Sequence, residues 1–172
     1  MAPGVKAFRG SLLDFTADPR VAGAAAMRYF EDGLLLVQDG RVLHAGDAQA
    51  QMARLPAHVQ VTDYSGRLIM PGFGDAHVHY PQTGVIASHG RQLLSWLEDY
   101  TFPAESRFSD AAHATEAAEF FLDELVSNGT TTAAVFPSVH KQSVDRFFEA
   151  ARRRNMRMLC GKVMMDRNCP EF

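Results

Sequence analysis

The chain has 172 residues, with 17 Lys and Arg against 20 Asp and Glu, for a formal net charge of −3. That length is enough for one domain with a real core. The charge offers no basic field for nucleic acid, and no run approaches the ~18 apolar residues of a membrane span. Met1–Gly10 lacks the apolar core of a signal peptide. Cys160 and Cys169 do not form a C-x-x-C pair and read as reduced cytosolic thiols, so the expected location is cytoplasmic.

Residues 1–66 read as short strands. Val5–Phe8 and Ser11–Phe15 are weak ones, and Gly33–Val37 and Arg41–Ala45 are stronger. The last two are joined through Gln38-Asp39-Gly40, whose Asp-Gly pair is a hairpin signal. Ala48–Arg54 reads as one or two helical turns stopped by Pro56. Val59–Tyr64 returns as a strand, and Ser65-Gly66 turns into the next segment. That segment, Arg67-Leu-Ile-Met-Pro-Gly-Phe-Gly-Asp-Ala-His-Val-His79, is an apolar strand ending in two histidines.

Beyond it, Leu93, Leu94, Leu97 and Tyr100 recur at helical spacing, with Pro103 expected to end that helix. Ser109 is expected to cap a second helix, with an apolar stripe of Ala118, Phe121, Leu122 and Leu125 and an end at Gly129. Thr130–Phe136 is β-branched and apolar, a buried strand. Ser138 is expected to cap a third helix with the stripe Val144, Phe147, Phe148 and Ala151. Arg152, Arg153 and Arg154 stand in its last turn, where cations suit the dipole and solvent is the expected partner. Met156–Met165 reads as a third strand. Strand, helix, strand, helix, strand is a parallel α/β pattern, which fits a doubly wound sheet as well as a barrel.

The H-x-H pair carries the chemistry. Strand side chains alternate faces, so His77 and His79 point the same way, about 6.6 Å apart along the chain. Two imidazoles on one face can converge on one metal with bonds of roughly 2.0–2.1 Å. Asp75 has the same parity and could orient a ligand. Gln82 follows three residues later, and its amide offers both a donor and an acceptor. Trp96 lies off the Leu93–Leu97–Tyr100 stripe, placed either to stack on a flat ligand or to pack under a lid. His140 follows the second strand and could support the site from behind.

Taken together, Met70–His79, His79-Tyr80-Pro81-Gln82, Leu93–Glu105, Asn128–Thr132 and Gly161–Asn168 resemble the guanine-deaminating branch of the amidohydrolase superfamily. The resemblance is close over 67–172 and looser over 1–66. It implies the first strands and helices of a (β/α)₈ TIM barrel at 67–172, preceded at 1–66 by the N-terminal part of a small β-sandwich. Such a barrel needs roughly 250 residues, so the chain is expected to be truncated.

By the same resemblance, His77 and His79 bind a divalent metal, zinc in deaminases. Gln82 binds substrate, and Trp96 is a second candidate for it. The reaction is metal-dependent hydrolytic deamination of guanine to xanthine and ammonia. Proton-transfer residues and further metal ligands are expected beyond Phe172, so no catalytic residue is assigned within the chain. The implied partners are a small purine base and a second copy in a homodimer, with no nucleic acid and no membrane. The alternatives are another amidohydrolase, of the cytosine, s-triazine or hydantoinase type, or a non-catalytic metal-binding fragment.

Overall fold

The computed structural model describes residues 4–53, 55–56, 58–167 and 169–170. The chain divides into two compact units, Met1–Pro71 and Gly72–Phe172.

The first unit holds a four-stranded sheet of β1 (Lys6–Phe15), β2 (Met27–Gln38), β3 (Arg41–Asp47) and β4 (Val61–Ile69), in the order β3-β2-β1-β4. The two weak strands expected at 5–15 are one strand, with a register shift between Gly10 and Leu12 where it crosses β2. Asp39 and Gly40 both take positive φ, 54° and 73°. That is the mirror-image turn an Asp-Gly pair favours, and it fixes the β2–β3 hairpin. Asp47 caps the short helix Ala48–Met52, accepting from the Ala50 backbone N–H at 3.0 Å. Arg54, expected in that helix, lies outside the described residues. Ala7, Leu34 and Ala48 form the small core, with Leu36, Leu55, Val59 and Val61 packed on it.

The boundary differs from the expected 66/67. Ser65-Gly66 does not turn the chain into a new strand, because β4 runs on through it. Leu68 and Ile69 pair in parallel with Ser11 and Leu12 of β1. Pro71, which has no N–H to donate, ends that ladder. The histidine strand therefore starts only at Phe73.

The second unit is built on three parallel strands in sequence order, β5 (Phe73–His79), β6 (Thr130–Phe136) and β7 (Arg157–Cys160). Two long helices connect them: α1 (Ala111–Ser127) before β6 and α2 (Lys141–Arg153) before β7. β7 is shorter than the expected Met156–Met165. Among the described residues it pairs with β6 alone, and past Cys160 no ladder follows.

Each helix buries one face. α1 buries Ala114, Ala118, Phe121 and Leu122. α2 buries Ser143, Phe147, Ala150 and Ala151, while Phe148 stays 40% exposed, so its inner face is rotated from the expected stripe. Ser143 tolerates burial because its hydroxyl donates to the His140 carbonyl at 2.6 Å.

Both expected caps move. Asp110, not Ser109, caps α1, accepting from the Ala112 N–H at 2.9 Å, since its carboxylate reaches the free donors of the first turn. His140, not Ser138, stands at the start of α2, where Ser138 Oγ instead accepts from the His140 N–H at 3.2 Å. At the other end of α2, Arg153 and Arg154 are not simply solvated. Both reach Glu119 on α1, and Arg154 also donates to Asp123 at 2.7 Å.

The helix expected to stop at Pro103 continues. An α turn at Leu93–Trp96 passes into a π turn at Leu97–Thr101 and a further α turn at Phe102–Ser106. Pro103 follows the π turn, and the helical backbone runs through it although it has no N–H to donate. Leu93, Leu94 and Tyr100 are exposed, so the apolar stripe read from the sequence has no core beneath most of it among the described residues.

Candidate functional site

Tyr80 fixes the chain at the point where β5 ends. It is fully buried, edge-on to Phe108 at 5.2 Å and tilted against Phe147 at 5.2 Å. Its hydroxyl donates to the Ser143 carbonyl at 2.5 Å, and burial pushes its pKa up. Tyr80 is thus a core anchor. It holds the backbone beside His79 against α1 and α2.

With that anchor in place, His77 and His79 turn to the same side. Their Nε2 atoms lie 3.2 Å apart. Two nitrogens bound tetrahedrally at about 2.0–2.1 Å from one ion would lie about 3.3 Å apart, so the pair fits a shared metal. Asp75 does not orient a ring. Its carboxylate accepts from the His77 backbone N–H at 2.9 Å, where β5 and β6 slip register between Asp75 and Val78.

Gln82 closes the arrangement, in a short 3₁₀ helix, Tyr80–Val85. Its amide nitrogen is 3.2 Å from His79 Nδ1 and 3.2 Å from a Glu105 carboxylate oxygen. An amide nitrogen can only donate. His79 Nδ1 therefore accepts, and a neutral ring carries its proton on Nε2, facing His77. Burial, and then the neighbouring His77, hold the His79 pKa below the usual imidazole value, which favours that neutral form.

Trp96 is half-buried, and its indole N–H donates to Ser88 Oγ at 2.8 Å. A Cβ at Gly90 would come within 2.5 Å of the Trp96 Cβ, so only glycine lets the loop lie against this residue. His77, His79, Gln82 and Trp96 all line one cleft of about 610 Å³, backed by Phe121 and Leu125. His140 stands apart from this lining at the head of α2, its pKa lowered by burial and then by Lys162. Burial pushes the Cys160 thiol up to about 11, so it is no nucleophile at neutral pH.

Two contributors are not visible in the sequence pattern. Phe136 ends β6 directly opposite His79 in the ladder and packs on both histidine rings, each at 4.7 Å between centroids. Parallel pairing of the two strand ends was the available signal. Glu105 is 8% exposed and meets Gln82 across 23 residues of chain, a contact that no local spacing encodes.

Residues 68–171 match the model of the Amidohydrolase family. The chain belongs to that family. It is 49% identical over 170 residues to the guanine deaminase of Escherichia coli (strain K12), a match covering 98% of this chain and 39% of that relative. The solved E. coli guanine deaminase superposes with a TM-score of 0.89 at 50% identity, over 96% of this chain and 39% of that one. A guanine deaminase from C. acetobutylicum, solved with guanine bound in its active site, superposes with a TM-score of 0.79 at 29% identity, over 98% of this chain and 38% of that one. The chain thus spans about two fifths of the length of these relatives.

Proposed function

We propose that the protein carrying this chain is a metal-dependent guanine deaminase. It hydrolyses the bond between C2 and the exocyclic amine, so that guanine and water give xanthine and ammonia. The 49% identity to the E. coli guanine deaminase, along almost the whole chain, is the observation that carries the substrate. The paired imidazoles beside Gln82 support the metal-dependent chemistry.

In this reading β5, β6 and β7 are the first three strands of a (β/α)₈ barrel. His77 and His79 then stand at a strand C-terminus, where such barrels place their active sites. The four-stranded sheet of the first unit is part of a small β-sandwich. The protein is cytoplasmic and forms a homodimer.

His77 and His79 would hold the metal, which we take to be zinc, through their Nε2 atoms. Among the described residues no group of three or more His, Cys, Asp or Glu could hold a metal. A catalytic zinc uses three protein ligands, so these two histidines supply part of the set. When bound, the ion lowers the pKa of water toward ~7 and makes a nucleophile available at neutral pH. Ligation would need the Nε2 lone pair, so with metal bound the ring proton of His79 would sit on Nδ1 and the Gln82 amide would turn its oxygen to accept it. Gln82 offers the purine's lactam edge a matched donor and acceptor, and Trp96 gives the cleft a flat apolar side.

The test is to purify the full-length protein and follow ammonia and xanthine release from guanine, with adenine and cytosine as controls. Turnover of guanine, with little of the other two, is expected. Ammonia from another base and none from guanine would refute the reading.

A further inference from the structure

Glu105 is a buried carboxyl whose hydrogen-bond partner is the Gln82 side chain. Burying a carboxyl is costly unless it is hydrogen-bonded, and Gln82 Nε2 supplies that bond at 3.2 Å. We propose that Glu105 is a positioning residue for substrate binding, holding the Gln82 amide between the histidine pair and the cleft. The proposal rests on the guanine deaminase reading for what Gln82 binds, and on geometry alone for what Glu105 does to Gln82.

The local fold supports it. Glu105 lies in the last turn of the irregular helix, after the π turn at Leu97–Thr101. A π turn carries about one extra residue, which rotates everything after it by roughly 100°. That re-phasing aims Glu105 at Gln82 while Trp96, before the π turn, stays on the cleft wall.

The chemistry of the pair is equally specific. Gln82 lies in a short 3₁₀ helix, lines the cleft, and has its amide nitrogen between His79 and Glu105. A carboxyl serves either amide face: ionised, it accepts from the nitrogen, and protonated, it donates to the oxygen. An alkyl side chain of the same size can do neither.

The test compares Glu105→Leu, Glu105→Gln and Gln82→Ala in the full-length protein, singly and combined. Glu105→Leu should raise the KM for guanine roughly ten- to hundred-fold, with a smaller loss in kcat and unchanged metal content. Glu105→Gln, which keeps a donor and an acceptor, should recover to within about three-fold of the parent. In a Gln82→Ala background Glu105→Leu should add almost nothing, because its effect runs through Gln82.

A crystal structure of the Glu105→Leu protein should show the Gln82 side chain turned away from His79. Gln82 unmoved in that structure would overturn the proposal, as would KM losses that multiply in the double variant. A parent protein inactive on guanine would sink the functional reading instead. The position of Gln82 in the Glu105→Leu crystal would then decide the positioning role by itself.

Discussion

Phe136 lies face to face on His79, with ring centroids 4.7 Å apart and planes within 12° of parallel. The two residues are register partners at the ends of β6 and β5, so the sheet itself sets the stack. A ring clamped in this way presents its nitrogen in one direction, which is what a ligand must do. Phe136→Ala should weaken metal binding about ten-fold, the usual scale for residues that orient ligands. Competition with a chelator measures this. An unchanged metal affinity would show that the phenyl ring only packs.

The proposed roles, His79 on the metal and Gln82 on the substrate, give a second expectation. Gln82→Ala should damage guanine turnover while leaving metal content near that of the parent. Loss of one or two hydrogen bonds to a buried base edge costs on the order of 1–3 kcal/mol. His77→Ala should instead lose the metal. Metal analysis beside steady-state kinetics separates the two, and equal metal loss in both variants would contradict the assignment of Gln82 to substrate.

What the sequence could and could not encode follows from the range of each interaction. The Asp39-Gly40 hairpin, the strand Thr130–Phe136 and the shared side of His77 and His79 depend on a few adjacent residues, and all are present in the structure. The run Leu93, Leu94, Tyr100 misled for a physical reason: a π turn breaks the 3.6-residue phase on which the stripe was counted. The end of the first unit misled because Leu68 and Ile69 look equally apolar in either strand. Only their pairing with Ser11 and Leu12, more than fifty residues earlier, assigns them. Glu105 reads as a surface acid until the fold brings it to Gln82.

The same buried carboxyl gives a pH dependence with a definite sign. Burial raises the Glu105 pKa, and the Gln82 hydrogen bond only partly offsets this. The folded state therefore binds the proton more tightly than the unfolded chain. Stability falls as pH rises from the ordinary carboxylate value through the raised one, and the full cost of the buried charge is present above it. Glu105→Leu should stabilise the full-length protein at about pH 8, and the gain should shrink toward about pH 4. Thermal unfolding across that range checks it. A gain that grew with acidity would mean the carboxylate is held by its surroundings rather than penalised by them.

Residues 1–172 expressed alone should be poorly folded and inactive. The three-stranded sheet offers the outer edges of β5 and β7, which have no partner strand among the described residues, and open edges template aggregation. Apolar side chains lie bare around it: Phe73 is 56% exposed, Leu159 59% and Leu93 69%. Left uncovered, such surface favours association over a cooperative fold. The metal would also be short of ligands, because His77 and His79 alone leave its remaining positions to solvent or buffer. Binding should therefore be weak and lost on dialysis. The measurements are denaturant unfolding, metal retained after dialysis, and guanine turnover by the isolated 172-residue chain. Broad, non-cooperative unfolding with no retained metal is expected. A single sharp transition with one tightly held metal and measurable turnover would show that these residues suffice, and that the exposed faces need no further cover.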